Sequence, residues 1–271
     1  SYCKYTEPTH GLITNLGKAH LEGFGGVEGV RKGKGELFDY LRAHNGTAFV
    51  LWDDIYLQQM ASGINTVIRY GQSGGDYTGI AVKGEDEKQT PFLTVKLTNG
   101  TVGGNIHTQL VGDYNLPNVL AAVAVGDHFG IEQAAIRNAL EAYKPANSRS
   151  QFMEKNGNYF ILDAYNANPS SMRAAIENFA GITASDKVLM LGAMAELGEE
   201  SLAEHSNIVN LIGQFKWKAV VLVGGNFSRI SHPYIQLANS SLAHDWLEEQ
   251  NFKGVHLLIK GSRSMQMERV L

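Results

Sequence analysis

The sequence predicts an α/β protein of two units, a mixed sheet with helices followed by a second, parallel α/β unit. Three observations carry this expectation. Short apolar runs that end in polar loops recur along the chain, segments of helical period lie between them, and in the second half strand, loop and helix alternate. At 271 residues the chain also exceeds the usual size of one domain, so two cores are expected.

Composition narrows the function classes. Hydrophobic residues make up 44% and charged residues 18%, with 30 glycines against 6 prolines, which suits a globular protein with many tight turns. The formal charge of −4 offers no broad basic surface, so nucleic acid is not an expected partner. The single cysteine, Cys3, excludes an internal disulfide and fits a reducing compartment, so a cytoplasmic location is expected. No apolar run approaches the roughly 18 residues of a membrane span. The start shows no charged-then-apolar leader, and neither targeting nor membrane association is expected.

Taken in order, residues 9–15 (THGLITN) read as a buried strand that delivers Thr and Asn at its carboxyl end. Residues 27–42 place Val30, Leu37, Phe38 and Leu41 at near-helical spacing and read as an amphipathic helix. The runs AFVLW, NTVIRY, YTGIAV and FLTVKL between residues 46 and 111 read as strands, some antiparallel, with Asn99-Gly100 as a hairpin turn. Residues 118–129 and 131–143 read as two buried helices that close the first unit, and 144–150 (KPANSRS) has the chemistry of a connection. Strands at 159–162, 188–191, 219–223 and 255–259 then build the second sheet. In such sheets ligands bind outside the carboxyl ends of the strands, so the loops that follow are where chemistry belongs.

Those loops hold the candidate residues. The loop 14–25 gathers an amide, the His20 imidazole and the Glu22 carboxylate on a glycine-rich backbone; spacing alone fits metal or phosphate groups and solvated loop residues equally. Lys34 reads as part of a solvated helix face, although an amine near a cation site can add CO2 and become a carbamate. Asp163, Tyr165 and Asn166 cluster after the strand YFIL with no structural task, which suggests a nucleotide-facing role, whereas Asn168 and Pro169 suit the cap and first position of the next helix. Ser201 and Glu204 match a capping box, leaving Glu196 unassigned and His205 read as a buried or helix-surface histidine. Lys260, Ser262 and Arg263 offer two cations and a hydroxyl to a carboxylate or phosphate, or form a surface turn.

The blocks TNLGKAHLEGFG, GVRKGKGEL, NLPNVLAA, NSRSQ, DAYNANPSSM, LGAMAELGEES and KGSRSMQME, in this order from about residue 9 to 270, resemble the Mur ligase family, in particular the type that adds D-alanyl-D-alanine. The resemblance implies that residues 1–146 are the remainder of a central ATP-binding domain and 147–271 a C-terminal, Rossmann-like substrate-binding domain. It implies ATP and Mg²⁺ as cofactors, with UDP-N-acetylmuramoyl-tripeptide and D-alanyl-D-alanine as partners of a monomer that makes peptidoglycan precursors. His20 would be a Mg²⁺ ligand and Lys34 the carbamylated lysine; Asn118, Arg149 and Asp163 would contact the nucleotide, with Tyr165, Asn166 and Asn168 near it. Ser262 and Arg263 would help to place the dipeptide. The family's Gly-Lys-Thr phosphate loop and its acidic metal ligand would precede Ser1, so this chain by itself is not expected to turn over ATP. The alternatives are a sister ligase that adds a single amino acid or glutamate, or a non-catalytic nucleotide-binding module. A dehydrogenase is disfavoured because no Gly-x-Gly-x-x-Gly joins a strand to a helix.

Overall fold

The structure is a computed structural model that describes residues 2–18, 21–82 and 91–271. It contains two six-stranded sheets. After a short helix α1 (Cys3–Thr6), the first sheet is built from β1 (His10–Leu12), β2 (Thr47–Leu51), β3 (Thr66–Gly71), β4 (Tyr77–Val82), β5 (Phe92–Asn99) and β6 (Asn105–Val111), in that spatial order. Its first four strands are parallel, and β5 and β6 add an antiparallel edge. The helices of this lobe are α2 (Leu21–Phe24), α3 (Val27–Ala43), α4 (Ile55–Ala61), α5 (Leu116–His128) and α6 (Gln133–Ala142).

Strand β2 explains how the lobe is layered. Its alternate residues Ala48 and Val50 join Phe38, Leu41 and Leu57 in the cluster beneath α3 and α4, while Phe49 joins Tyr70, Ile106 and Leu120 beneath α5. A strand buried on both faces reads as one continuous apolar run, which is how AFVLW appears in the sequence. Helix α5 is apolar nearly all round, burying Leu116, Val119, Leu120, Ala121, Val123 and Ala124, because it lies between the sheet and α6. Helix α4 begins where the Asp54 carboxylate accepts from Tyr56 N at 2.9 Å and Leu57 N at 3.2 Å.

The second sheet comprises β7 (Gln151–Lys155), β8 (Asn158–Asp163), β9 (Lys187–Gly192), β10 (Ala219–Val223), β11 (Ile235–Leu237) and β12 (His256–Lys260), in the order β11-β10-β9-β12-β8-β7. Helices α7 (Pro169–Gly181) and α8 (Ser201–Ile212) pack on one face over Ile161, Leu189 and Leu222. Helix α9 (Ser240–Gln250) and the last residues cover Leu162, Met190 and Ile259 on the other. The lobes touch through apolar residues: Leu21, Val30 and Val111 belong to the cluster built around α7 and α8, and Phe92 meets Phe152 edge-on at 5.5 Å.

Three details differ from the sequence expectation. The second sheet is not wholly parallel, since β7 runs antiparallel to β8 at the edge. Residues 100–104, rather than a two-residue turn, join β5 to β6, with Gly100 at φ 115. No capping box forms at the start of α8; the cap position is Glu200 with no side-chain hydrogen bond, and Glu204 is engaged elsewhere. The motif was present, but a stronger ionic partner from the other lobe took its carboxylate.

Candidate nucleotide site and the loops around it

Asn118 and Arg149 come together on one cavity. It has a volume of about 580 Å³ and lies against α5 and α6, with Val119, Ala122, Ile136 and Tyr143 among its apolar walls. Asn118 sits in the first turn of α5 with its amide donating to Asn115 Oδ1 at 3.1 Å, which aims the side chain. Arg149 reaches from the connection between the lobes and lies over the Tyr165 ring at 3.8 Å. An apolar slot with an amide and a guanidinium at its rim suits a flat heteroaromatic base.

Asp163 adjoins this cavity through Ser150, which lines it. Its Oδ1 accepts from Ser150 N at 3.0 Å and its Oδ2 from Lys260 Nζ at 2.5 Å. The ammonium of Lys260 also donates to Asn166 O at 3.3 Å. On the first lobe Tyr114 OH lies 2.9 Å from Ser150 Oγ. Burial, with the nearby Asp163 charge second, pushes the Tyr114 phenol well above its ordinary range, so it stays protonated. Asn147, Ser148 and Ser150 all have left-handed backbone, with φ of 57, 57 and 46 degrees. Such conformations persist where the surroundings hold them, here through Asp163 and through Tyr165 N donating to Ser148 O at 3.1 Å. The connection is thus bent into the site.

The remaining candidates sit elsewhere. Asn168 caps α7, its Oδ1 accepting from Ser171 N at 2.9 Å, and Pro169 takes the first turn, as the residue pattern indicates. Ser262 is buried, with Oγ donating to Ala193 O at 2.6 Å, and the exposed Arg263 pairs with Glu268 at 2.9 Å. The two cations and hydroxyl of that segment therefore do not form one open anion site. His20 lies outside the described residues.

Lys34 lines a different cavity, of about 330 Å³, together with Thr14, Asn15 and Glu36. Its Nζ donates to Asn15 O at 2.8 Å, and burial lowers its pKa below the ordinary lysine value. A neutral amine is the form that adds CO2, and a carbamate retains one N–H for the Asn15 carbonyl. Sequence reasoning missed Tyr114 and Ser150 altogether, and it treated Lys260 as a docking cation rather than the partner of Asp163. Only the strand register, which sets Lys260 opposite Asp163, holds that signal.

Residues 1–126 match the domain described as Mur ligase middle domain, and residues 148–249 match the one described as Mur ligase, glutamate ligase domain. The chain belongs to the Mur ligase family. Among similar family members, the UDP-N-acetylmuramoyl-tripeptide--D-alanyl-D-alanine ligase of Treponema pallidum is 31% identical over 97% of this chain and 57% of its own length. The enzyme of the same name from Haemophilus influenzae is 32% identical over 99% of this chain and 59% of its own. MurF from Acinetobacter baumannii superposes with a TM-score of 0.84 at 26% identity, covering 98% of this chain and 59% of that one. MurF from Thermotoga maritima, solved in complex with ADP, shares the fold at a TM-score of 0.85 and 24% identity, covering 99% of this chain and 62% of that one. This Mur ligase chain therefore spans less than two thirds of the length of the relatives it matches. Among its described residues no helix is long and apolar enough to cross a membrane.

Proposed function

We propose that this chain supplies the nucleotide-binding and amine-receiving lobes of an ATP-dependent ligase that joins D-alanyl-D-alanine to UDP-N-acetylmuramoyl-tripeptide. The observation that carries this reading is the cavity that Asn118 and Arg149 share, against α5, α6 and the connection between the lobes of a Mur ligase fold. The names of its relatives support the choice of substrates. We place the boundary between the two lobes at residues 146 and 147, within the connection that separates the sheets. A cytoplasmic location and a monomer belong to the same reading.

The chemistry follows from the reactants. A carboxylate is a poor electrophile until one oxygen becomes a leaving group. A tripeptide carboxylate oxygen attacks the γ-phosphorus of ATP, the bond to the bridging oxygen of ADP breaks, and an acyl phosphate forms. The amine of the dipeptide then attacks the acyl carbon, the bond to phosphate oxygen breaks, and the amine gives up a proton as the amide forms. Asn118 and Arg149 hold the base and Asp163 contacts the nucleotide, with Tyr165 and Asn166 near it. Packing between the lobes excludes water from the mixed anhydride.

Lys34 is the proposed site of the carbamate. Among the described residues no three His, Cys, Asp or Glu side chains converge to hold a metal ion.

The test is ADP release by the gene product that carries this chain, with UDP-N-acetylmuramoyl-tripeptide and either D-alanyl-D-alanine or single amino acids. Release that depends on the dipeptide is expected; release with glutamate instead would refute the substrate assignment and favour a sister ligase. Lys34→Ala should cripple turnover, with partial recovery when a small carboxylic acid is added. Unchanged kinetics would remove the carbamate.

A further inference from the structure

The loop that follows β1 is tied to the second lobe on both sides of residues 19 and 20. On its near side Lys18 Nζ lies 2.5 Å from Glu204 Oε1 on α8, and Lys18 N donates to Ser170 Oγ on α7 at 3.4 Å. On its far side Glu22 N donates to Glu196 O at 3.2 Å, and the Leu21 side chain enters the apolar cluster of α7 and α8. The same loop is tied to its own lobe through Asn15, whose carbonyl accepts from Lys34 on α3 at 2.8 Å, and within the loop its Oδ1 accepts from Gly17 N at 3.0 Å. One short segment thus joins the Lys34 cavity to the first turns of α7 and α8.

The ionic contact is the charge-specific part of this joint. The Glu204 side chain is 9% exposed while that of Lys18 is 44% exposed, so the carboxylate is the buried partner and depends on the lysine reaching in. A carboxylate so placed is costly to leave unpaired. Withdrawing the lysine forces the loop to rearrange around the buried carboxylate. His205, the next residue on α8, cannot replace it, because its ring is committed to Met194 N and Ser201 O.

We infer that Lys18 and Glu204 form a positioning clasp, through which the second lobe sets residues 14–18 against Lys34. Its kinetic consequence rests on the ligase reading; its structural consequence does not. Neither residue is a catalytic group here. Each acts through the loop.

The test has two arms. In the first, hydrogen exchange is measured on this 271-residue chain and its variants Lys18→Met, Glu204→Gln and the double variant. Amides of residues 14–18 should exchange about tenfold faster in each single variant, no faster in the double than in either single, and unchanged in Lys18→Arg, since side chains in direct contact are coupled. Sheet amides of both lobes should not change. In the second arm, the gene product that carries the chain should lose kcat about tenfold in each single variant, non-additively, with the KM for nucleotide within about twofold. Unchanged loop exchange in both singles overturns the clasp, as do single effects that multiply in the double. Faster exchange with unaltered kcat overturns the positioning role. If the unsubstituted gene product releases no ADP, the ligase reading fails and the exchange arm alone decides the clasp.

Discussion

Replacing Asp163 with Asn tests the buried ion pair on which the edge of the candidate site rests. Lys260 has 2% side-chain exposure and Asp163 has 16%, and their charged atoms lie 2.5 Å apart because β12 and β8 are parallel with these residues in register. In Asp163→Asn the shape survives and the charge does not, leaving a buried ammonium that faces only neutral carbonyl oxygens, among them Asn166 O at 3.3 Å. Breaking a buried pair in this way costs about 3–5 kcal/mol. Lys260→Met should cost less, about 1–3 kcal/mol, because the more exposed carboxylate keeps its bond from Ser150 N. In the double variant neither charge remains, and its cost should fall below that of Asp163→Asn alone. Trp217 and Trp246 report on this lobe, so thermal unfolding followed by tryptophan fluorescence in a Trp52→Phe background reads it selectively. For a lobe of this size, about 3–5 kcal/mol lowers the midpoint by roughly 6–20 °C. A loss under about 1 kcal/mol for Asp163→Asn, or a larger loss for Lys260→Met, would refute the argument that the lysine is the stranded charge.

Two other predictions concern the same lobe. His205 is buried with Nδ1 donating to Ser201 O at 2.7 Å and Nε2 accepting from Met194 N at 3.0 Å, so its ring is neutral, and burial holds its pKa below the ordinary 6.5. Between that lowered value and 6.5 the unfolded chain binds the extra proton, so stability is full above pH 6.5 and declines as the pH falls toward the folded value. His205→Ala should cost about 3 kcal/mol in urea unfolding at neutral pH and flatten that decline; an unchanged acid limb would contradict it. Asn168→Ala should cost about 1 kcal/mol by losing the cap of α7, with Asn168→Ser retaining most of the stability, and equal losses for both would count against the cap.

Much of the fold was legible because its signals are local. The run YTGIAV, set off from its neighbours by Gly and Asp, forms β4 with the expected bounds, Tyr77–Val82. The helix expected over 27–42 is α3, with Val30, Phe38 and Leu41 buried as their spacing requires. Asn168-Pro169 announces α7 by cap chemistry that depends on three neighbouring residues. By contrast β11, only Ile235–Leu237, is too short to show a period, and β7, with the pattern QFMEK, is an edge strand identified by its pairing with β8.

By itself, then, the sequence determined most of the strands and helices and the cap of α7, and through the order of its motifs the Mur ligase family, because these depend on periodicity and on contacts a few residues apart. Tertiary structure alone decided which polar groups are spent on one another. Lys260 meets Asp163 across 97 residues, and Lys18 meets Glu204 across 186. A charge has no periodicity to betray its partner; burial and strand register choose it, and those exist only once the two sheets have formed and packed.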